Sequence, residues 1–322
     1  MGGGPSTPEL VTAAARAGAL GFLAAGYKTA ATLTDEIAAV RAGTTEAFGV
    51  NVFVPGEPAS NAHALTAYLG SLAADTARVG GILGEATWDD DAFEEKVAVL
   101  LADPPPMVGF TFGCPAPEIV TAFQEAGTVV AVTVTSAAEA ELAQGAGADA
   151  LCVQGREAGA HRGSFDNPPG APPGHTLLSL IGQVAAVTAL PQLAAGGIMG
   201  PHQVRAVLAA GAVAAQCGTA FLRCPESGAH PSHKAALADP VYTSTTLTRA
   251  FSGRWARGLV NGFVLDHVDA PPAYPEVNNA TRPLRAAAAA AGDTERMSLW
   301  AGEGFRDATE RPAGEIVDLL CS

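Results

Sequence analysis

Short apolar runs alternate with amphipathic stretches along most of this chain. Runs typical of buried strands begin near residues 19, 48, 107, 128, 149, 191 and 212. Between them the pattern predicts helices over residues 34–41, 59–73, 89–101, 117–125, 136–144, 175–188 and 201–210. The intervals from 107 to 128, 128 to 149 and 191 to 212 are each 21 residues, the length of one strand plus one helix. The repeat predicts a parallel α/β fold with right-handed crossovers.

The number of strands separates two α/β architectures. Seven runs are one short of a TIM (β/α)8 barrel. We predict this barrel with its first strand missing from the chain, so that the glycine loop at residues 1–4 follows that strand and Met1 is an internal methionine. An open doubly wound sheet tolerates any number of strands. It also predicts a G-x-G-x-x-G fingerprint after its first strand, which is not convincingly present.

The regular alternation stops after Phe221. Residues 223–279 are richer in Pro, His, Ser, Thr and Asn and show no clear strand-helix unit. Helices are again predicted over 282–291 and 315–320. We therefore predict a barrel formed by residues 1–222 and 282–322, with an inserted lid subdomain over 223–281.

Charge and composition exclude some function classes. The formal net charge of −14 argues against a nucleic-acid partner, because phosphates would be repelled. The sequence has neither an apolar run long enough to span a membrane nor a basic leader before an apolar segment, so we expect no membrane association and a cytoplasmic protein. The five cysteines are an odd number without C-x-x-C spacing, which favours free thiols over disulfides or a metal site.

Two glycine-bearing loops follow the last two predicted strands, where barrels commonly bind phosphate. They contain Gly196 and Gly197 in the first loop and Gln216, Cys217, Gly218 and Thr219 in the second. Glycines let backbone N–H groups approach phosphate oxygens, and the threonine hydroxyl adds a donor. The alternative is that these glycines only form tight turns.

Polar residues at other strand ends are candidates for binding and catalysis. Asn51 interrupts an apolar run and Gln154 ends another, so each needs a partner, either a ring amide of a ligand or neighbouring backbone. His161 lies in the glycine-rich loop after Gln154 and is the main catalytic candidate, because a histidine there can exchange a proton or donate to an anion. The segment 252–258 carries two arginines and a tryptophan, which would either clamp an anion or dock the lid.

The motifs as a group resemble a known family. Gly-Gly-Pro-Ser-Thr-Pro-Glu-Leu at 3–10, Gly-Phe-Leu-Ala-Ala-Gly-Tyr-Lys-Thr at 21–29, Gly-Val-Asn-Val-Phe at 49–53, Gln-Gly-Arg-Glu-Ala-Gly at 154–159 with His161, Ala-Gly-Gly-Ile at 195–198 and Gln-Cys-Gly-Thr-Ala-Phe at 216–221 are similar to those of nitronate monooxygenases, formerly called 2-nitropropane dioxygenases. The resemblance covers nearly the whole chain. Ala160 stands where the family pattern has a second glycine.

The resemblance implies an FMN-binding barrel that oxidises alkyl nitronates with O2 to carbonyl compounds and nitrite. Asn51, Gln154 and Gly159 would contact the flavin, and Gly196, Gly197 and residues 216–219 would hold its phosphate. His161 would orient the nitronate and act as base on a neutral nitroalkane. Propionate 3-nitronate, a toxic metabolite, is the substrate that the resemblance suggests, with detoxification as the role. A homodimer is compatible with the sequence.

Two other functions fit the same motifs. One is an NAD(P)H-dependent flavin reductase of quinones or enoyl thioesters, since relatives on this scaffold share the Gly-Arg-Glu-Ala-Gly motif. The other is a protein that binds a flavin or another phosphorylated ligand without turnover. The sequence alone does not separate them.

Overall fold

A curled, parallel sheet with helices packed on it forms the larger part of the molecule. The computed structural model describes residues 1–172 and 174–322. Over these residues the sheet has seven strands, β1 (Gly21–Ala24), β2 (Phe48–Phe53), β3 (Met107–Thr111), β4 (Val129–Val134), β5 (Ala150–Gln154), β7 (Gln192–Ala195) and β8 (Ala214–Gln216). Strands β6 (Ala160–His161), β9 (Thr245–Thr248) and β10 (Ala256–Leu259) form a second sheet.

Thirteen α-helices occur in the described part of the chain. They are α1 (Pro8–Arg16), α2 (Ala30–Gly43), α3 (Ala62–Ser71), α4 (Ala73–Val79), α5 (Phe93–Ala102), α6 (Pro117–Glu125), α7 (Ala137–Gly145), α8 (Leu177–Ala185), α9 (Pro201–Ala209), α10 (Pro231–Ala236), α11 (Gly262–Asp266), α12 (Glu276–Ala291) and α13 (Ala313–Leu320). Several begin where a hydroxyl caps the first turn; Thr7 accepts from Leu10 N–H, for example.

The seven strands lie in the order β1-β2-β3-β4-β5-β7-β8, and every neighbouring pair is parallel. The middle residues of β3, β4 and β5 are buried on both faces, because helices cover the outside. All seven predicted strands are confirmed, and so is the barrel-type α/β class. Among the described residues, β1 and β8 are the two edges of the sheet, one strand short of a closed eight-stranded barrel.

A second core lies between helices that the sequence assigns to different parts. Tyr68 and Leu72, which lie after β2, pack with Phe251, Phe263 and Leu284. The predicted boundary between residues 281 and 282 falls inside α12, a single helix that packs on α3 and α4. We call the residues that share this second core, which include parts of the β2–β3 connection and of α12, the smaller unit. Spacing along the sequence does not indicate these contacts, because they join segments about 200 residues apart.

Two further observations concern the described residues as a whole. None of their helices is both long enough and apolar enough to cross a membrane. The five cysteines are free thiols, of which only Cys321 is well exposed.

Candidate active site

A row of polar side chains crosses the carboxyl ends of the central strands. Thr111 Oγ1 donates to Asn51 Oδ1 at 3.0 Å, and it lies 3.1 Å from Thr133 Oγ1. The strand register aligns Asn51 with Gly109, where an added Cβ would lie 2.9 Å from Asn51 Oδ1. The row leaves the Asn51 side-chain amide group without a protein acceptor among the described residues. That amide is free to donate to a ligand.

Gln154 holds the loop that carries His161. Its Nε2 donates to the His161 carbonyl at 3.1 Å, and its Oε1 accepts from Gly163 N–H at 2.8 Å. Gly163 in turn lies against β4, since an added Cβ would be 2.7 Å from Thr133 Cγ2. Gln154 thus bonds to neighbouring backbone, which is one of the two alternatives given above. The second hydrogen of its Nε2 and the second lone pair of its Oε1 are still available to a ligand.

His161 lies in a box of aromatic side chains. Its ring centroid is 5.8 Å from that of Phe112, 5.6 Å from that of Tyr274 and 5.7 Å from that of Trp300. Its Nε2 is 2.8 Å from Ser252 Oγ. The Ser252 hydroxyl also lies within donor range of the Arg254 carbonyl, at 3.1 Å. When it donates there, Ser252 Oγ accepts from Nε2–H and the lone pair of the neutral ring is on Nδ1.

The same surroundings keep His161 uncharged. Burial, followed by the positive charges of Arg254 and Arg285, lowers the pKa of His161 to about 3. The imidazole is therefore neutral at physiological pH, and its surroundings oppose the positive charge that a proton would add to it.

Three residues other than glycine adopt positive φ around this box. Tyr27 has φ 67°, Phe112 has φ 80° and Ala160 has φ 62°. Phe112 directly follows β3, and Ala160 begins the strand that carries His161. Such conformations are uncommon without glycine and concentrate at functional sites. The family pattern has a glycine at position 160, where this chain has Ala160 in the left-handed conformation.

The two glycine loops lie side by side, because Ala195 pairs with Gln216. Gly196 and Gly197 have φ 124° and 69°. Among the described residues, the N–H groups of Gly197, Gly218 and Thr219 donate to no protein acceptor. Thr219 Oγ1 accepts from Gly302 N–H at 2.9 Å, which leaves its hydroxyl hydrogen free.

The loops therefore fit an anionic phosphate, and the row from Asn51 to Gln154 fits the polar edge of a flat ring. Unpaired N–H groups at glycines are the donors that phosphate oxygens need. Gln216 is exposed, and its Oε1 accepts from the Cys152 thiol at 2.8 Å. Cys217 differs from its neighbours because its side chain packs in the hydrophobic core, so only its backbone is available.

Gly159 lies in the loop of residues 155–163, called the histidine loop, where this loop packs against the C-terminal part of the chain. An added Cβ there would overlap the backbone of Ala301 and Gly302. Glu303 N–H also donates to the Glu157 carbonyl at 3.0 Å. Residues 301–303 thus lie between the histidine loop and Thr219, a contact that nothing in the sequence pattern indicates.

Sequence reasoning missed most of the aromatic box. Phe112, Tyr274 and Trp300 come from different segments, and Ser252 is 91 residues from His161. The glycine-rich segment 252–258 was the available signal for Ser252. Its arginines dock the lid: Arg257 donates to the Arg156 carbonyl at 2.9 Å, and Arg254 donates to the Ser164 carbonyl. Lys28 is paired with Glu36 at 2.5 Å.

Comparisons with known proteins point to one family. A family model described as "Nitronate monooxygenase" matches residues 1–322. The chain belongs to the nitronate monooxygenase family. It is 37% identical to a probable nitronate monooxygenase of Staphylococcus aureus strain MSSA476, over 98% of this chain and 90% of that protein. A further relative of this description, from strain Newman, is 36% identical with the same coverage. The protein is accordingly an oxidoreductase of that family.

Two solved structures share the fold. The crystal structure of nitroalkane oxidase from Streptomyces ansochromogenes aligns with a TM-score of 0.96 and 50% identity, over 99% of this chain and 92% of that one. FabK from Thermotoga maritima aligns with a TM-score of 0.70 and 26% identity, over 98% of this chain and 88% of that one. The family prediction made from the motifs is confirmed.

Proposed function

We propose that this protein is an FMN-dependent nitronate monooxygenase that oxidises alkyl nitronates with O2 to carbonyl compounds and nitrite. The observation that carries the proposal is the position of His161, which lies 2.8 Å from Ser252 Oγ in an aromatic box beside the polar strand ends. Nitronate and O2 would be its small-molecule partners. FMN, when bound, supplies the electron acceptor for the nitronate.

The chain's own residues would have separate tasks. The N–H groups of Gly197, Gly218 and Thr219 would hold the FMN phosphate. Asn51 and Gln154 would contact the polar edge of the flavin ring, with Gly159 and Gly196 allowing close backbone approach. Gln216 and the backbone of Cys217 belong to the same loop as Gly218 and Thr219.

His161 would remove the proton from the α-carbon of the substrate. Nδ1 would accept the α-proton of a neutral nitroalkane, and the Ser252 oxygen would stabilise the imidazolium that forms. The rings of Phe112, Tyr274 and Trp300 would exclude water from the reacting atoms. A substrate that enters as the nitronate needs orientation only.

The deciding experiment is anaerobic spectroscopy of the FMN-loaded protein. We expect a nitronate to change the flavin spectrum and NADH to leave it unchanged, with nitrite released after O2 is admitted. Bleaching by NADH with an inert nitronate would establish the reductase alternative instead. Bound FMN that responds to neither would indicate a flavin-binding protein without turnover.

The His161 role has a test of its own. In His161→Gln we expect kcat/KM for nitroethane to fall by about 100-fold or more, since general-base catalysis is lost. For ethyl nitronate, which has already lost the proton, the fall should be less than about tenfold. Ser252→Ala is the matched variant. It keeps the imidazole but removes the oxygen that contacts Nε2, so the ring is no longer held in one tautomer. Equal losses on both substrates in His161→Gln, at unchanged FMN content, would contradict the role as base.

Two finer proposals accompany this function. Detoxification of propionate 3-nitronate is the physiological role that the family resemblance suggests, and comparing the nitronate sensitivity of cells with and without the gene would test it. A homodimer stays a prediction, testable by sedimentation.

A further inference from the structure

A buried arginine without a counter-ion lies beside the aromatic box. Arg254 is 6% exposed. Its guanidinium carbon is 4.0 Å from the centroid of the Phe112 ring and 5.9 Å from that of the Tyr274 ring. Both rings also pack on His161, which is half-buried. Arg254 comes two residues before Ala256, the strand partner of His161, so the fold brings this cation to the histidine.

Most hydrogen-bond donors of the Arg254 side chain are unused. One terminal nitrogen donates to the Ser164 carbonyl, and the side chain makes no other hydrogen bond to the described residues. Its Nε atom is buried without a partner. Arg254 also forms no ion pair with a carboxylate in the described part of the chain; Glu139 and Asp166 favour its charge only from a distance. The guanidinium therefore has donors and charge available to a ligand.

The charge on Arg254 sets the electrostatics of the box. Burial lowers the pKa of Arg254 to about 10, so the guanidinium is still charged at neutral pH. After burial, this charge is the next cause that lowers the pKa of His161. A buried charge without a partner is unfavourable, and an anion that binds beside it removes that cost. The box therefore disfavours a second cation and favours an anionic ligand.

We propose that Arg254 binds the two oxygens of the nitronate group beside His161. The inference rests on the proposed function and adds a substrate-binding residue to it. A guanidinium presents parallel N–H donors, which fit a planar pair of oxygens that share one negative charge. A nitronate has such a pair. The neutral nitroalkane has a similar shape but no net charge to offset that of Arg254, so Arg254 favours the ionised form of the substrate.

Ethyl nitronate and nitroethane test this role, because they differ by a single proton. Arg254→Met keeps a long side chain and removes the charge. In this variant, loaded with FMN, we expect KM for ethyl nitronate to rise by at least about tenfold. KM for nitroethane should change by less than about threefold, since the neutral molecule gains little from the charge. Arg254→Lys keeps the charge without the paired donors, and its KM for ethyl nitronate should lie between those of the other two proteins.

Nitrate provides a readout that needs no turnover. It is a small planar anion whose oxygens are bound to nitrogen, and the absorbance of bound FMN reports its binding. We expect nitrate to compete with ethyl nitronate, and its Kd to rise by at least about tenfold in Arg254→Met. Arg249→Met is the matched control. Arg249 is also buried, but it lies 4.5 Å from the centroid of the Trp255 ring and is not among the charges that act on His161, so this variant should leave the Kd unchanged.

The outcomes separate this inference from the proposed function. Oxidation of ethyl nitronate with an unchanged KM in Arg254→Met would overturn the role of Arg254 and leave the monooxygenase intact. An equal rise of KM for both substrates would also overturn it, because charge would not be the cause. Should Arg254→Met fail to fold, nitrate that does not compete with ethyl nitronate in the unsubstituted enzyme would still overturn the inference. If the unsubstituted protein binds nitrate through Arg254 but oxidises neither substrate, the anion site stands and the proposed function fails.

Discussion

The backbone around His161 is strained at a residue that carries a side chain. Ala160 has φ 62°, and the following residue bears the imidazole. A left-handed conformation costs an alanine about 1 kcal/mol more than a glycine, which has no Cβ. The strain persists because Ala160 pairs with Arg257 and Gln154 binds the His161 carbonyl. The position of the His161 ring is thus set by its neighbours against a local preference.

Replacing Ala160 by glycine should relieve this strain. We expect Ala160→Gly to leave the free energy of unfolding unchanged or to raise it by up to about 1 kcal/mol, since lost strain outweighs the extra freedom of the unfolded chain. Urea unfolding measures the change. Ala158→Gly is the control in the same loop, where φ is not positive, and it should lower stability by about 0.5–1 kcal/mol. Equal losses in both variants would show that Ala160 is not strained.

The lowered pKa of His161 predicts a loss of stability in acid. The folded pKa is about 3 and the unfolded value about 6.5, so between these values the unfolded chain binds a proton that the folded protein does not. Stability contributed by the neutral ring is present above pH 6.5 and is lost as the pH falls. At pH 5 the loss reaches at most about 2 kcal/mol.

His161→Gln provides the comparison for this pH effect. Its stability should fall less between pH 7 and pH 5 than that of the parent protein, by up to about 2 kcal/mol. His233, whose pKa burial lowers to about 4, has an effect of the same sign but is present in both proteins. Urea midpoints at the two pH values measure the difference. Parallel pH profiles would mean that the His161 pKa is not lowered in the folded state.

At the scale of elements, the histidine loop belongs to two sheets at once. It leaves β5 of the large sheet and returns as β6, which pairs antiparallel with β10. Gly159 lets the loop pass residues 301 and 302, where no side chain fits. The sequence predicted all seven large-sheet strands and the residues at their ends, because apolar runs and periodic helices are local signals. Strand β6 is two residues long and has no such signal.

The crossing at Gly159 can be tested directly. Gly159→Ala should lower the free energy of unfolding by about 3 kcal/mol, because the Cβ must displace backbone and not a flexible side chain. Gly170→Ala, in the same long connection, has no atom within 4 Å of its added Cβ and should change stability by no more than about 0.5 kcal/mol. Thermal or urea unfolding distinguishes the two. Similar small effects would mean that the crossing is looser than the structure shows.

At the scale of the whole molecule, the smaller unit has its own core and its own buried ion pairs. Asp75 on α4 is 5% exposed and contacts Arg296 as well as His267 Nε2, the latter at 2.8 Å. Arg296 also reaches Asp266 at 2.9 Å. Three segments far apart in sequence meet at this cluster. The sequence predicted a lid over 223–281 from its irregular composition, but composition carries no information about which distant helices complete its core.

Asp75→Asn should destabilise the smaller unit. Removing one partner of a buried ion pair leaves Arg296 and His267 without their shared acceptor, and we expect a loss of about 3 kcal/mol. The exposed Asp318→Asn change on α13 should stay within about 0.5 kcal/mol. Chemical unfolding followed by tryptophan fluorescence reports on the unit, since Trp300 packs on Phe251. A loss below about 1 kcal/mol would mean that Asp266 and solvent replace the carboxylate.

The shared histidine loop limits how this chain can be recombined with relatives. A chimera that takes the large sheet from one parent and the smaller unit from another separates Ala160 and His161 from their strand partners Arg257 and Ala256. It also separates the imidazole from Ser252. Functional crossovers should therefore inherit residues 155–163 and 245–259 from the same parent. Under the proposed function, the joint between the two units carries the catalytic histidine and is inherited as one piece.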